Sequence, residues 1–175
     1  MQTCFKKTLF VITGLVLIGT GFFLTKTHIA NASGINGKVF GDWKVSCVKN
    51  ENKNNLCFLT QQATTTKDDK LQILAVYQVG YFGKDNVLKF IQIVPLGVNL
   101  QSGTSIISGE KLLAPSKFTI CTAAGCEAIG IITNDDFQTI ISNNNNFLAM
   151  MGSDNKQINL PISSKGLKEG LEALK

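Results

Sequence analysis

The chain has 175 residues, with 17 lysines and no arginine, 12 acidic residues, one histidine, five cysteines and a formal net charge of +5. This length suits one domain with a core large enough to fold alone. Without a guanidinium, the bidentate reading of guanine or phosphate is not available, so composition argues against a nucleic-acid binder.

The first residues pair Lys6 and Lys7 with an uncharged apolar run from about Leu9 to Leu24, followed by a polar tail ending in Ala30-Asn31-Ala32. This is the pattern of a secretory signal peptide over residues 1–32, cleaved before Ser33 because the peptidase accepts only small side chains at the two alanine positions. The apolar run is long for a signal peptide and near the short limit for a spanning helix, so an uncleaved inner-membrane anchor is the alternative. Cleavage removes Cys4, Lys6, Lys7, Lys26 and His28. The remaining domain, 33–175, then has fourteen lysines against twelve acidic residues, a net charge of +2, and no histidine.

An exported chain meets an oxidising compartment in which thiols pair. Cys47, Cys57, Cys121 and Cys126 allow three pairings, and their clustering favours Cys47 with Cys57 and Cys121 with Cys126.

Along the chain, "VFGDWKVSC" alternates with Trp43, Val45 and Cys47 on one face, the period of a half-buried strand. "ENKNN" reads as a turn and "LCFLTQQATT" as the returning strand. "TTTKDDK" reads as a solvated loop, and "LQILAVYQVGY" places Leu71, Ile73, Ala75, Tyr77, Val79 and Tyr81 on one face. After "FGKDN", the run "VLKFIQIVPLGVNL" is apolar on both sides, as a central strand ended or bent at Pro95 would be. "TSIIS", "KFTIC" and "CEAIGII" are further short strands between Gly- and Pro-containing turns, the spacing of a sandwich or barrel.

"NDDFQTIISNNNN" breaks this pattern and reads as a short helix ending in the Asn run: Asn134 suits an N-cap, Asp135 and Asp136 the first turn, and Phe137, Ile140 and Ile141 share a helical face. A last hairpin turns at Gly-Ser-Asp-Asn. The chain closes on a helix with Leu167, Leu171 and Leu174 as its apolar stripe and Lys168 spaced for a weak pair with Glu172.

Candidate chemistry is sparse. Nucleophilic triads and hydrolytic zinc sites lean on an imidazole, which the mature chain lacks. The cysteines are spaced C-x9-C and C-x4-C, which fits neither a zinc ribbon nor a C-x-x-C redox pair. Asp68-Asp69 and Asp135-Asp136 are adjacent in sequence and point apart, so neither makes an acid-base dyad. No Gly-rich phosphate loop lies between a strand and a helix. No catalytic residue, metal or cofactor is expected. Function then falls to the surface, where Lys165, Lys168 and Lys175 suggest a basic face and Tyr81 with Phe82 an aromatic turn.

"FGDWKVSC", "CFLTQQ", "VPLGVNL", "FTICTAAGC" and "INLPISSKGLKEGLEALK" together resemble the invasion-associated locus B family of exported bacterial proteins. The resemblance implies an immunoglobulin-like β-sandwich, here with one short helix before the last hairpin and a C-terminal helix. It also implies a periplasmic or surface location, a link to host-cell entry in some pathogens, and no catalytic set. The expected partner is an envelope or host-cell surface component; nucleic acid is not expected, and membrane contact would run only through an uncleaved N-terminal segment. The alternative is a periplasmic housekeeping or stress-related binding module without a host role. Mass spectrometry of the native protein is expected to find an N-terminus at Ser33; a full-length mass with carbonate-resistant membrane association would establish the anchor.

Overall fold

The computed structural model describes residues 32–49 and 55–175. The signal segment lies outside the described residues apart from Ala32, as does most of the expected "ENKNN" turn. A short 3-10 turn, Ala32–Ile35, leads into the strands β1 (Val39–Phe40), β2 (Trp43–Lys49), β3 (Asn55–Lys67), β4 (Lys70–Phe82) and β5 (Val87–Val94). Then come β6 (Thr104–Ser108), β7 (Lys111–Thr122), β8 (Gly125–Ile131), helix α1 (Asn134–Ser142), β9 (Asn146–Met151), β10 (Gln157–Ile162) and helix α2 (Leu167–Ala173).

The ten strands run antiparallel to their neighbours in the order β1-β2-β3-β4-β5-β8-β7-β6-β9-β10. The sheet folds over so that inward residues of both halves share one core, from Trp43, Leu59, Tyr77 and Phe90 in the first to Ile106, Leu148 and Leu160 in the second. The fold is therefore mainly β and of the sandwich type, with its two layers still joined through the β5–β8 pairing. Its far ends approach each other where β10 meets β3.

Strict alternation explains most of this. β9 buries every second residue and β5 does so from Phe90 onward, and Trp43 and Val45 of β2 are fully buried around an exposed Lys44. One buried row is polar: the fully buried Gln92 donates to Ser116 Oγ (3.1 Å) and to Phe90 O (2.9 Å), and accepts from Thr104 Oγ1. Each of these groups has its partner, which is what allows an amide to lie between the layers.

Several local expectations change. "TTTK" is not loop: β3 runs on to Lys67, and Asp68 (φ 51°) with Asp69 (φ 57°) makes the two-residue turn of a long hairpin. The tip of that hairpin outruns the core, so Leu71 and Ile73 are 70% and 52% exposed despite their alternation. β7 begins at Lys111 and passes through Pro115 with a register shift at Ala114 (φ 47°), a bulge that accommodates the proline's missing N–H. Helix α1 is capped one residue earlier than expected, by Thr133. Its Oγ1 accepts from Asp136 N while Asp136 Oδ2 accepts from Thr133 N, both at 3.1 Å.

Both cysteine pairs are directly opposed across antiparallel strands: Cys47 bonds Cys57 between β2 and β3, and Cys121 bonds Cys126 between β7 and β8. Each locks a hairpin register that a one-residue slip would otherwise invert. In the chain-entropy account, loops of this length contribute roughly 2 to 3 kcal/mol each. Replacing Cys121 and Cys126 together by alanine is expected to lower the unfolding free energy by about 2 kcal/mol in urea titrations, with the far-UV spectrum retained.

Candidate functional site

The β1–β2 turn, Gly41-Asp42, crosses the segment 163–166 that leads into α2. Asp42 N donates to Lys165 O (3.0 Å), and Ser163 Oγ donates to Asp42 Oδ2 (2.6 Å) while accepting from Lys165 N (3.1 Å). Ser163 N donates to Gln61 Oε1 (2.9 Å), and Trp43 Nε1 donates to Ser163 O (2.8 Å). The backbones approach so closely that a Cβ on Gly166 would run into Phe40 O, and one on Gly41 into Lys165 O. Gly166, at φ 83°, also adopts the left-handed conformation from which α2 starts.

This clasp sets the position of α2, whose Leu167 and Leu171 are buried and whose Gly170 lies against the Leu59 side chain. On the other side, Ser164 Oγ donates to Asn143 O (2.9 Å) at the end of α1. Two neighbouring clefts result. The larger, about 580 Å³, is lined by Asp42, Ile141, Asn144, Ser163, Lys165 and Lys168 among others. The second, about 290 Å³, has walls that include Tyr81, Phe137, Gln138, Lys168, Glu172 and Lys175. Lys168 belongs to both.

The structure thus brings Tyr81, Lys168 and Lys175 together, with the Lys175 ammonium 5.7 Å from the centroid of the Tyr81 ring. Lys165 stands in the larger cleft. Phe82 is separate: it lies on the opposite face of β4 with its ring 5.8 Å from that of Phe58. Tyr81 and Phe82 close β4 rather than forming an aromatic turn, which begins only at Gly83. Lys168 and Glu172 make no ion pair; among the described residues the one within 4.0 Å is Lys156–Asp154, between exposed side chains. The contribution of α1 to both clefts has no local sequence signal, because residues 134–144 and 165–175 meet only in three dimensions.

Chemically, these clefts are equipped to bind. They offer ammonium groups, carboxylates, amides and an aromatic ring, and among the described residues no three His, Cys, Asp or Glu side chains cluster as a metal site. Among the described residues, the strongly perturbed ionisable group is Tyr77, whose hydroxyl is buried without a hydrogen-bond partner there. Burial pushes its pKa well above the ordinary phenol value, so it stays protonated in the core and away from either cleft. Among the described residues, no helix is long and apolar enough to cross a membrane.

Fold and site together define a disulfide-linked β-sandwich protein with paired surface clefts beneath a terminal helix. A family model described as invasion associated locus B (IalB) protein matches residues 43–175, and the chain belongs to that family. Among solved structures, invasion associated protein B from Bartonella henselae superposes with a TM-score of 0.65 at 19% identity, over 78% of this chain and 92% of that one, a likeness of fold. No match is found among curated proteins.

The clasp and the lysines should separate in mutagenesis. Gly166→Ala is expected to cost at least about 2 kcal/mol, since it combines an unfavourable φ with a backbone collision. Trp43→Phe should cost about 1 to 2 kcal/mol through the orphaned Ser163 carbonyl. Changing Lys165, Lys168 and Lys175 to Gln should leave the melting temperature nearly unchanged by calorimetry, as expected of exposed charges.

Proposed function

We propose that this protein is exported and works without catalysis, binding an envelope or host-cell surface component through the paired clefts beside α2, and so contributes to contact with and entry into host cells. The observation that carries the reading is the convergence of Lys165, Lys168 and Lys175 with Tyr81 on clefts held by the clasp, in a chain of the invasion associated locus B family. Two disulfides support export, because paired thiols persist in an oxidising compartment. The three lysines are exposed and unpaired by carboxylates among the described residues, so their charge is available to an acidic partner. Such attraction acts over about 8 Å at physiological salt and weakens as salt rises.

A second reading, a periplasmic binding module without a host role, has its own support. The stretches that carry the family resemblance, "GDW" and "PISSKG", interlock with each other in the clasp and so serve the fold before any partner.

Gene deletion separates the two. The first reading expects reduced host-cell entry with normal axenic growth, restored by the wild-type gene and only partly by the triple Lys→Gln variant. Normal entry with a growth defect under envelope stress would select the second.

A further inference from the structure

The smaller cleft has a composition that narrows its ligand. Its floor is apolar, formed by Leu88, Phe137 and Leu171, and Tyr81 stands at one side. Asn134, Gln138 and Glu172 line it as well, and among the described residues none of these three side chains has a hydrogen-bond or ion-pair partner. Lys168 and Lys175 complete the lining. The ammonium of Lys175 rests over the Tyr81 ring, 5.7 Å from its centroid, so an incoming group that stacks on this face takes the place of the ammonium.

Resting on the binding role proposed above, we propose that this cleft is a saccharide subsite for one hexose-sized ring bearing a carboxylate, a uronic acid or a similar acidic sugar. A pyranose has an apolar C–H face suited to Tyr81 and the apolar floor, and a rim of hydroxyls that both donate and accept. Amides match such a rim because they do the same, and Glu172 accepts where a hydroxyl donates. The sugar carboxylate meets Lys168. At about 290 Å³ the cleft lies at the lower end of small-ligand sites, roughly 300 to 1,000 Å³, which is room for one ring rather than a chain. A longer glycan continues across Lys168 into the larger cleft, which that residue also lines.

Other ligand classes fit less well. A phosphate monoester would bring about 1.5 to 2 negative charges beside Glu172, where a sugar carboxylate brings one. A purely apolar ligand would strand the amides and charges. An extended peptide needs an open strand edge or a longer groove.

The test is a titration of ¹⁵N-labelled mature protein with methyl β-glucuronoside, methyl β-glucoside and sodium acetate, following backbone and side-chain amide resonances. The glucuronoside is expected to give saturable shifts at Asn134, Gln138 and residues 167–175. The glucoside should bind the same residues about fivefold more weakly, and Lys168→Gln should weaken the glucuronoside by about five- to tenfold while sparing the glucoside. Tyr81→Leu should abolish binding of both sugars. Gln138→Ala, at an exposed position, gives the same information by weakening both if the core variant unfolds. Lys156→Gln, an exposed lysine outside both clefts, should change nothing. Absence of saturation below about 20 mM glucuronoside, equal shifts with acetate, or shifts mapping elsewhere would overturn the assignment. If the glucuronoside fails while binding to host or envelope surfaces remains lysine-dependent, the saccharide assignment falls and the broader reading stands. Loss of that surface dependence as well would remove both.

Discussion

Much of this structure depends on one crossing of backbones, where the Phe40–Trp43 turn meets the segment Ser163–Gly166. Two glycines make the approach possible, because a Cβ at either would collide with the opposing carbonyl. The groups drawn together are then paired: the Trp43 indole N–H, the Gln61 amide, the Ser163 hydroxyl and the backbone N–H groups of Asp42, Ser163 and Lys165 each find a partner. The contacts link positions about 120 residues apart in sequence, so their loop-closure entropy has to be offset by many interactions at once. Trp43, buried completely, supplies apolar burial at the same place as its hydrogen bond.

The clasp also connects core to surface. It holds the start of α2, so Leu167 and Leu171 turn into the core and Lys168, Glu172 and Lys175 are left lining the outside. The bond from Ser164 to Asn143 fixes the end of α1 beside it, and the buried Asn146 amide braces the same end by donating to Ile140 O and Asn143 O. Clefts bounded in this way are built from elements anchored at their bases, the condition for a binding surface that need not be ordered anew by each partner. The disulfides act elsewhere, by holding register in two hairpins. Asp42, Ser163 and Lys165 belong to both the clasp and the larger cleft, while Lys168 and Lys175 lie outside the clasp.

Membership of the invasion associated locus B family places the chain among its relatives, and a fold alone does not decide a function. The stretches singled out in the sequence mostly serve architecture: "GDW" and "PISSKG" form the clasp, and "FTICTAAGC" forms a stapled hairpin. Recognition would then reside in side chains outside the interlocked groups, such as Gln138, Lys168 and Glu172.

Read by itself, the sequence determined the mainly β class, most strand positions, the short helix before the last hairpin and the apolar stripe of α2. Alternation of period two and the i, i+3, i+4 pattern are local properties, and a core needs them whatever the topology. Clustering also pointed to the two cysteine pairs. Misread elements were those where tertiary context outweighs local pattern: the polar Thr64–Lys67 stretch stays extended because Lys70–Ile73 pairs with it, and Pro115 is tolerated inside β7 because a bulge removes the need for its N–H. Only the tertiary structure decided that Tyr81 joins Lys168 and Lys175 while Phe82 faces away, that Lys165 belongs to a neighbouring cleft, and that α1 walls both. Neighbours in a sheet's sequence point to opposite faces, and helices separated by a hairpin meet only once the sheet between them has folded, so a cleft assembled from β4, α1 and α2 has no signature along the chain.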